Sequence, residues 1–249
     1  MIQEPFAIGN SWIHSIDPRI KIIFAAIYSL VVALSNRFPV LLTALTVSII
    51  LVLLARLDIR EVTRRLSVIC LFLGLIWAIL PFTYEGEPLY HIRQLTITLP
   101  GVVLSAQITL KTVAILMCFM TLIATMTIST LGQALNSLKL SNKLVLLLLM
   151  TYRYIFVIEE EYRRLRTAIK IRGFRSGTNI HSYKTFAYLV GMLFVRASIR
   201  AERVYQAMKC RGFKDKFYTL NDFESSGPNR LFSVLITTVI LGMIIAEYY

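Results

Sequence analysis

Long apolar runs separated by short polar turns dominate the chain. Five of these runs are long enough, or nearly so, to cross a bilayer as helices, which takes about 20 residues. Polar or charged turns and proline end the first three runs, as expected of short connections between antiparallel spans. The predicted spans are residues 20–34, 40–55, 66–80, 102–128 and 231–246. The pattern therefore predicts an all-α, polytopic membrane protein with about five transmembrane helices.

A second kind of pattern occupies the long segment between the fourth and fifth spans. An apolar stripe at helical spacing predicts one amphipathic helix up to about residue 171, and a second is predicted over about 183–210. Residues 176–179 (SGTN) separate the two. The organisation predicted is an N-terminal transmembrane region over 1–128, a region of cytoplasmic helices over 129–230, and a final transmembrane helix over 231–249.

Two segments leave alternatives open. Residues 144–150 are apolar enough to resemble a sixth span, but Lys143 and Arg153 bracket them closely, so we interpret them as a helix on or just under the bilayer. Counting them as a span would place the two copies of the repeat described below on opposite sides of the membrane. Residues 85–100 contain a turn followed by IRQLTITL at 92–99, which fits either a strand or a re-entrant helix.

Composition and charge support the membrane class and predict an orientation. Hydrophobic residues make up 56% of the chain and charged residues 16%, with a net charge of +13. With the N-terminus inside, the cytoplasmic segments hold 24 of the 27 Lys and Arg residues and the external loops two. Basic residues collect on the cytoplasmic side of membrane proteins. We therefore expect a multi-pass protein of the cytoplasmic membrane with its N-terminus inside and its C-terminus outside.

A seven-residue sequence occurs twice in the long segment. AIKIRGF at 168–174 and AMKCRGF at 207–213 share five of seven positions, 39 residues apart. Glycine after a helical pattern predicts a helix end, because glycine adopts the left-handed conformation at little cost. Gly173 and Gly212 are thus predicted just past the caps, with Phe174 and Phe213 folded back onto the last turn.

The repeated end carries an alanine and an arginine on one face. Ala168 lies four residues before Arg172, and Ala207 four before Arg211. A small residue beside an arginine lets a partner surface approach while the guanidinium binds a carboxylate or carbonyl groups. Two such ends predict a partner with two equivalent grooves, most simply a dimer.

The duplicated A-x-x-x-R-G end resembles that of the transmembrane (T) component of energy-coupling factor transporters, which are ATP-driven importers. The stretch NSWIHSIDPRIKI at 10–22 is similar to the segment that precedes the first span of that family. The resemblance covers nearly the whole chain in order, and the opening EPFAIGNSWIH at 4–14 is more similar to the cobalt and nickel branch. The family pattern often has a small residue before each arginine, where this chain has Ile171 and Cys210.

The resemblance implies partners and roles. One T subunit would couple two ABC ATPases, identical or different, to a substrate-capture membrane subunit, for cobalt or nickel ions, or for vitamins if the chain is a shared T component. Arg172 and Arg211 would insert into grooves of the ATPases, with the neighbouring alanines and glycines shaping the tips. Phe174 and Phe213 would support those tips, and Asp17, Pro18 and Arg19 would join the first span to the coupling region.

Other chemistries have little support in the sequence. His14, His91 and His181 share no ligand spacing, so no metal site is expected. The chain has no phosphate-binding loop or catalytic constellation, and its basic segment flanks apolar spans, so neither a cofactor, nor catalysis, nor nucleic-acid binding is expected.

A stand-alone permease or intramembrane enzyme would need polar groups converging inside the spans, where Lys111 is the one charge. Lys111 is expected to reach the span end or to contact carbonyl or carboxylate groups. Asp17 and Pro18 also fit a helix N-cap and first position.

Overall fold

A computed structural model describes residues 9, 11–84, 88–92, 95–213 and 227–248, and it is predominantly helical. Its residues form two compact units, one drawn from 3–131 and 222–249 (the span unit) and one from 132–221 (the loop unit). The elements in chain order are α1 (Pro18–Leu34), α2 (Phe38–Ala55), α3 (Ile59–Thr83), β1 (Pro88–Ile92), β2 (Leu95–Thr98), α4 (Leu99–Leu122), α5 (Ile128–Ser137), α6 (Asn142–Ile171), α7 (Ile180–Cys210) and α8 (Gly227–Tyr248).

The prediction of an all-α polytopic membrane protein is confirmed. Among the described residues, four helices are long and apolar enough to cross a membrane, namely α2, α3, α4 and α8. Helix α1 has 17 residues, about 26 Å at 1.5 Å per residue, and its role as the fifth span remains a prediction. Helix α6, which contains the apolar stretch 144–150, is not among the four. Its position at the bilayer surface also remains a prediction.

The third span is longer at both ends than the sequence pattern predicted. Charged residues that we interpreted as the polar stop after the second span form the first turns of α3, which begins at Ile59. Pro81, predicted to end the helix, lies inside it, two residues before the last residue, Thr83. A proline so near the C-terminus removes a single helical hydrogen bond. The Thr98 hydroxyl donates to the carbonyl oxygens of Pro81 (3.3 Å) and Tyr84 (2.8 Å), which stabilises this end.

The predicted fourth span over 102–128 is wrong in its C-terminal part. Helix α4 ends at Leu122, and a separate helix, α5, begins at Ile128. Thr127 explains the new start, because its hydroxyl oxygen accepts a hydrogen bond from the Thr130 N–H at 3.2 Å, as an N-cap side chain does. Apolar periodicity continues across this break, so hydropathy alone did not show it. The last helix extends a few residues beyond both predicted ends of the fifth span.

The segment left open between strand and re-entrant helix is a β-hairpin where it is described. Strands β1 and β2 pair antiparallel, with His91 opposite Thr96 and Ile92 opposite Leu95. The predicted turn before it falls largely on residues 85–87, which lie outside the described residues, as do 93–94 within the hairpin. The hairpin ends directly at α4, so the chain enters that helix from an extended strand.

The core of the span unit is built mainly from α1, α2, α4, α8 and the segment before α1, and it also includes Val62 of α3. Ile13 and Ile16, in the sequence that resembles the family's entry segment, are fully or almost fully buried. The ring of Trp12 packs edge-on against Phe232 of α8, and the Asp17 N–H donates to Asn229 Oδ1 at 3.1 Å. Asp17 also accepts from the Arg19 N–H, which confirms it as the N-cap with Pro18 at the first helical position. The motif therefore ties the start of α1 to the start of α8.

A polar cluster joins α1, α4 and α8 at the α1–α2 turn, and we call it the Asn36 cluster. Lys111 Nζ donates to the carbonyl of Ala33 (3.0 Å) and to Asn36 Oδ1 (3.1 Å), which confirms that this lysine contacts carbonyl groups. Glu247 of α8 accepts from the Ser35 hydroxyl (2.5 Å) and the Asn36 N–H (3.0 Å). Ser35, Asn36, Gln107, Lys111 and Glu247 make up the cluster.

Replacing Glu247 should destabilise the span unit, because the buried Ser35 hydroxyl would lose its acceptor. We expect Glu247→Ala to lower the free energy of unfolding by about 1 kcal/mol, a figure limited by the exposure of the carboxylate. Thermal unfolding of the detergent-solubilised chain measures the change. The control is Tyr248→Ala, at a neighbouring side chain that is 85% exposed. Equal melting temperatures for the two variants would show that the cluster contributes nothing measurable.

Candidate functional site at two helix ends

Both copies of the repeated sequence form the same hydrogen-bonded helix end. Helix α6 ends with Gly173 at φ +79°, and the Gly173 N–H donates to Lys170 O (3.1 Å) while the Phe174 N–H donates to Ile169 O (3.2 Å). This pair of bonds defines a Schellman motif. The prediction that Gly173 follows the cap is confirmed.

The second copy repeats this geometry at the end of α7. Gly212 has φ +76°, the Gly212 N–H donates to Lys209 O (3.0 Å), and the Phe213 N–H donates to Met208 O (3.1 Å). Arg172 and Arg211 are the C-cap residues of their helices. The two arginines therefore leave the backbone at equivalent positions of two equivalent helix ends.

The residues predicted to contact a partner are all on the surface of the described structure. Ala168, Arg172 and Gly173 are exposed at the first end, and Ala207, Arg211 and Gly212 are exposed at the second. Apart from the adjacent residues in the chain, no described residue has an atom within 4 Å of the position that a Cβ would occupy on either glycine. Among the described residues, the glycines are thus required by their positive φ and not by crowding.

Neither arginine takes part in an ion pair within the described residues, although other arginines of the same helices do. Arg163 pairs with Glu159 (2.6 Å) and Arg164 with Glu160 (2.5 Å) along α6, and Arg196 of α7 pairs with Glu161 of α6. The charge at each helix end is also favourable for the helix, because the negative end of the helix dipole lies there. Two guanidinium groups are therefore exposed, and neither pairs with a carboxylate of the residues that the structure describes.

The first helix end is held to the start of α7 by aromatic contacts. The ring of Phe174 lies 5.8 Å from that of Phe186, nearly perpendicular to it, and 6.1 Å from His181. Phe213 of the second end lines a groove together with Met208. The predicted supporting role of the two phenylalanines stays a proposal, but each of these side chains has a defined place in the loop unit.

That groove runs between α6 and α7, on the side of the Glu161–Arg196 pair away from the α6–α7 connection. Its volume is about 510 Å³, and its walls are mostly apolar, with Glu161, Arg196 and Arg200 as the charged groups. Sequence reasoning did not single out Glu161 or Arg196. The available signal was weak, because Glu159, Glu160 and Glu161 are consecutive and only the fold shows which of them faces α7.

The predicted role of Asp17, Pro18 and Arg19 in joining the first span to the coupling region remains a prediction. Asp17, Pro18 and Arg19 belong to the span unit and contribute to the packing of α1 on α8. Among the described residues there is no group of three or more His, Cys, Asp or Glu side chains that could hold a metal ion. The His14 ring accepts or donates a hydrogen bond with the Ser11 hydroxyl at 2.7 Å, and His181 contacts Phe174.

Alanine substitutions test whether Gly173 and Gly212 are needed for their positive φ or for lack of space around them. Gly173→Ala and Gly212→Ala should each cost about 1 kcal/mol, because alanine is strained at positive φ. Gly191→Ala, at a mid-helix position of α7 with the same open surroundings, should stabilise by about 0.5–1 kcal/mol. Hydrogen exchange along α6 and α7 measures the change in local stability. If all three variants changed stability in the same direction, the assignment of Gly173 and Gly212 to strained cap positions would be contradicted.

The comparisons with known proteins agree with this architecture. The family described as CbiQ, cobalt transport protein, matches residues 9–219. The "Energy-coupling factor transporter transmembrane protein EcfT" of Listeria innocua serovar 6a is 31% identical over 228 residues, which is 86% of this chain and 85% of that protein. The proteins of the same name from Leuconostoc gelidum subsp. gasicomitatum and Acidaminococcus fermentans are 28% and 29% identical, covering 84% and 83% of this chain and 82% and 81% of their own lengths. The chain therefore belongs to the CbiQ family, among the transmembrane components of energy-coupling factor transporters.

Proposed function

We propose that this chain couples two ABC ATPase subunits to a substrate-capture membrane subunit in an ATP-driven importer. The observation that carries the proposal is the duplicated helix end. The same Schellman motif occurs twice, each time with an exposed arginine and an alanine four residues before it. A single well-built helix end needs no functional explanation, but a second copy in the same unit fits a partner with two equivalent sites.

The spacing of the two ends favours two separate docking grooves. Phe174 packs on the first turns of α7, whereas Arg211 caps the last turn of that helix. Helix α7 has 31 residues, which corresponds to about 46 Å. This length exceeds the diameter of about 30 Å typical of a small domain. One arginine on each ATPase subunit is therefore a better fit than both on one.

The chemistry of each tip suits a groove that ends in carboxylate or carbonyl oxygens. The planar guanidinium can bind two oxygens at once, which a lysine cannot reproduce. Ala168 and Ala207 leave room beside each arginine for the wall of the groove. Ile171 is 81% exposed beside the first arginine, whereas Cys210 occupies that place in the second copy. The first groove should therefore be wider if the two ATPases differ.

The charge distribution and the family support the proposed orientation and location. With the N-terminus inside, 24 of the 27 basic residues face the cytoplasm, where ATPase subunits find their nucleotide. In this proposed orientation, both helix ends face the cytoplasm, inside a bacterial or archaeal cytoplasmic membrane. The chain itself acts as a non-catalytic transporter component, and the ATPases supply the hydrolysis.

The proposed cargo is a cobalt or nickel ion. Uptake of cobalt would serve cobalamin biosynthesis. The name of the matching family, cobalt transport protein, supports this choice. The alternative is a T component shared between vitamin-capture subunits. Mass spectrometry of the complex solubilised from its native membrane decides between them, because the co-purifying capture subunit differs in the two cases. Purification of the chain alone, still active in transport, would instead favour a stand-alone permease.

Charge reversal at both tips tests the coupling role. We expect Arg172→Glu/Arg211→Glu to lose the ATPases from affinity-purified complexes and to reduce transport to background, because each tip would bring a carboxylate to an oxygen-lined groove. The single variants should show partial losses, since two linked contacts reinforce each other. The matched control is Arg203→Glu, an exposed arginine two turns before Arg211. Full ATPase retention by the double variant would overturn the proposal.

A further inference from the structure

The orientation of the two arginine-bearing ends depends on how α6 and α7 cross. Arg172 continues the axis of α6 and Arg211 the axis of α7, because each is the C-cap of its helix. Near the connection, Phe174 on Phe186 holds the helices together. A contact near the connection defines the angle between two long helices only weakly, because it acts close to the pivot. A second contact farther along is needed to define it.

The Glu161–Arg196 ion pair is placed to be that second contact. It joins α6 to α7, whereas the other ion pairs of the described residues link neighbouring turns within α6. The Glu161 side chain is 15% exposed, compared with 43% for Glu159 and 65% for Glu160. Arg200, one turn beyond Arg196, also faces the groove. The two helices thus place one partly buried carboxylate in contact with the Arg196 guanidinium, and Arg200 lines the same groove.

An ion pair defines an angle better than the apolar contacts around it. Apolar contact is non-directional and tolerates sliding of one helix along the other. A charge-assisted hydrogen bond requires a specific distance and direction. A partly buried carboxylate that lost its partner would also remain among the apolar side chains of the groove, which is unfavourable. The pair therefore favours one crossing geometry over its neighbours.

The position of the pair along α7 amplifies any slip. At 1.5 Å per residue, Arg196 lies about 24 Å from the start of α7, and the C-terminal end of α7 lies about 46 Å from its start. A displacement at the pair therefore appears roughly twofold larger at Arg211 if α7 moves as a rigid rod.

We propose that Glu161 and Arg196 are positioning residues, whose ion pair sets the crossing angle of α6 and α7 and thereby the orientation of Arg211 relative to Arg172. The effect on ATPase binding rests on the proposed function, but the effect on the crossing angle does not. Two linked contacts give strong binding only when both can form at once. A changed angle should therefore weaken the ATPase complex without altering either arginine.

Changes in the crossing angle can be followed by double electron–electron resonance, which measures the distance between two spin labels on the purified chain. In a background of Cys70→Ser, Cys118→Ala and Cys210→Ser, labels are attached through Lys143→Cys and Gln206→Cys. Both positions are exposed, on the arms of α6 and α7 beyond the crossing. The distance between them reports the opening of the groove.

The variants are Glu161→Arg, Arg196→Glu and the double exchange Glu161→Arg/Arg196→Glu. Each single reversal should shift or broaden the distance distribution, and the exchange should restore it. The matched control is Glu160→Arg, which makes the same change of charge at the adjacent, exposed residue of α6 and should leave the distance unchanged. If a single variant does not purify, the exchange and the isosteric Glu161→Gln still decide the question. The double exchange must keep the native distance distribution, and Glu161→Gln must broaden it.

The same samples test the consequence for ATPase binding. Each single reversal should reduce co-purified ATPase by about tenfold, and the exchange should recover it. Unchanged distances in the single reversals, or no recovery in the exchange, would overturn the positioning role. Failure of the proposed function has a different signature, because Arg172→Glu/Arg211→Glu would then retain the ATPases whatever the spin labels report.

Discussion

The carbonyl groups at the end of a helix need hydrogen-bond donors, and at Ile169 and Met208 this chain supplies them from Phe174 and Phe213. The backbone must reverse its hand at the intervening residue for that bond to form, which only glycine does at little cost. Each helix therefore ends at the residue before an arginine C-cap, and the chain turns away at the glycine that follows. The exposed guanidinium groups, the free space beside them and their placement at two equivalent ends all depend on this local geometry.

The span unit meets the same requirement by different means. Because lipid offers no hydrogen bonds, polar groups there must find partners within the protein. The Asn36 cluster does this for a lysine in the middle of α4, a buried serine and a glutamate in the last turn of α8. At the other end of α1, Asp17 and Asn229 join the first helix to the last. These polar contacts fasten α8, which follows the loop unit in the chain, back onto α1.

The loop unit combines rigid parts with an exposed apolar surface. Its two long helices carry the arginines, and they enclose a mostly apolar groove with few charged groups. The groove leaves apolar side chains of both helices accessible between the charged groups. The charged pair between the helices supplies the direction that apolar contact lacks.

The sequence by itself determined the helical membrane class, the caps at Asp17, Gly173 and Gly212, and the break between α6 and α7, because hydropathy, capping and glycine conformation act over a few residues. It misplaced the end of α4 and missed α5, since apolar periodicity continues through a break that a single threonine hydroxyl creates. It left the β-hairpin open because pairing depends on a second strand. Only the tertiary structure selected Glu161 from three consecutive glutamates and brought Glu247 to Ser35. Glu161 and its partner Arg196 are separated by 35 positions in the chain, and Ser35 and Glu247 by 212. Contacts over such separations are decided by packing and not by local pattern.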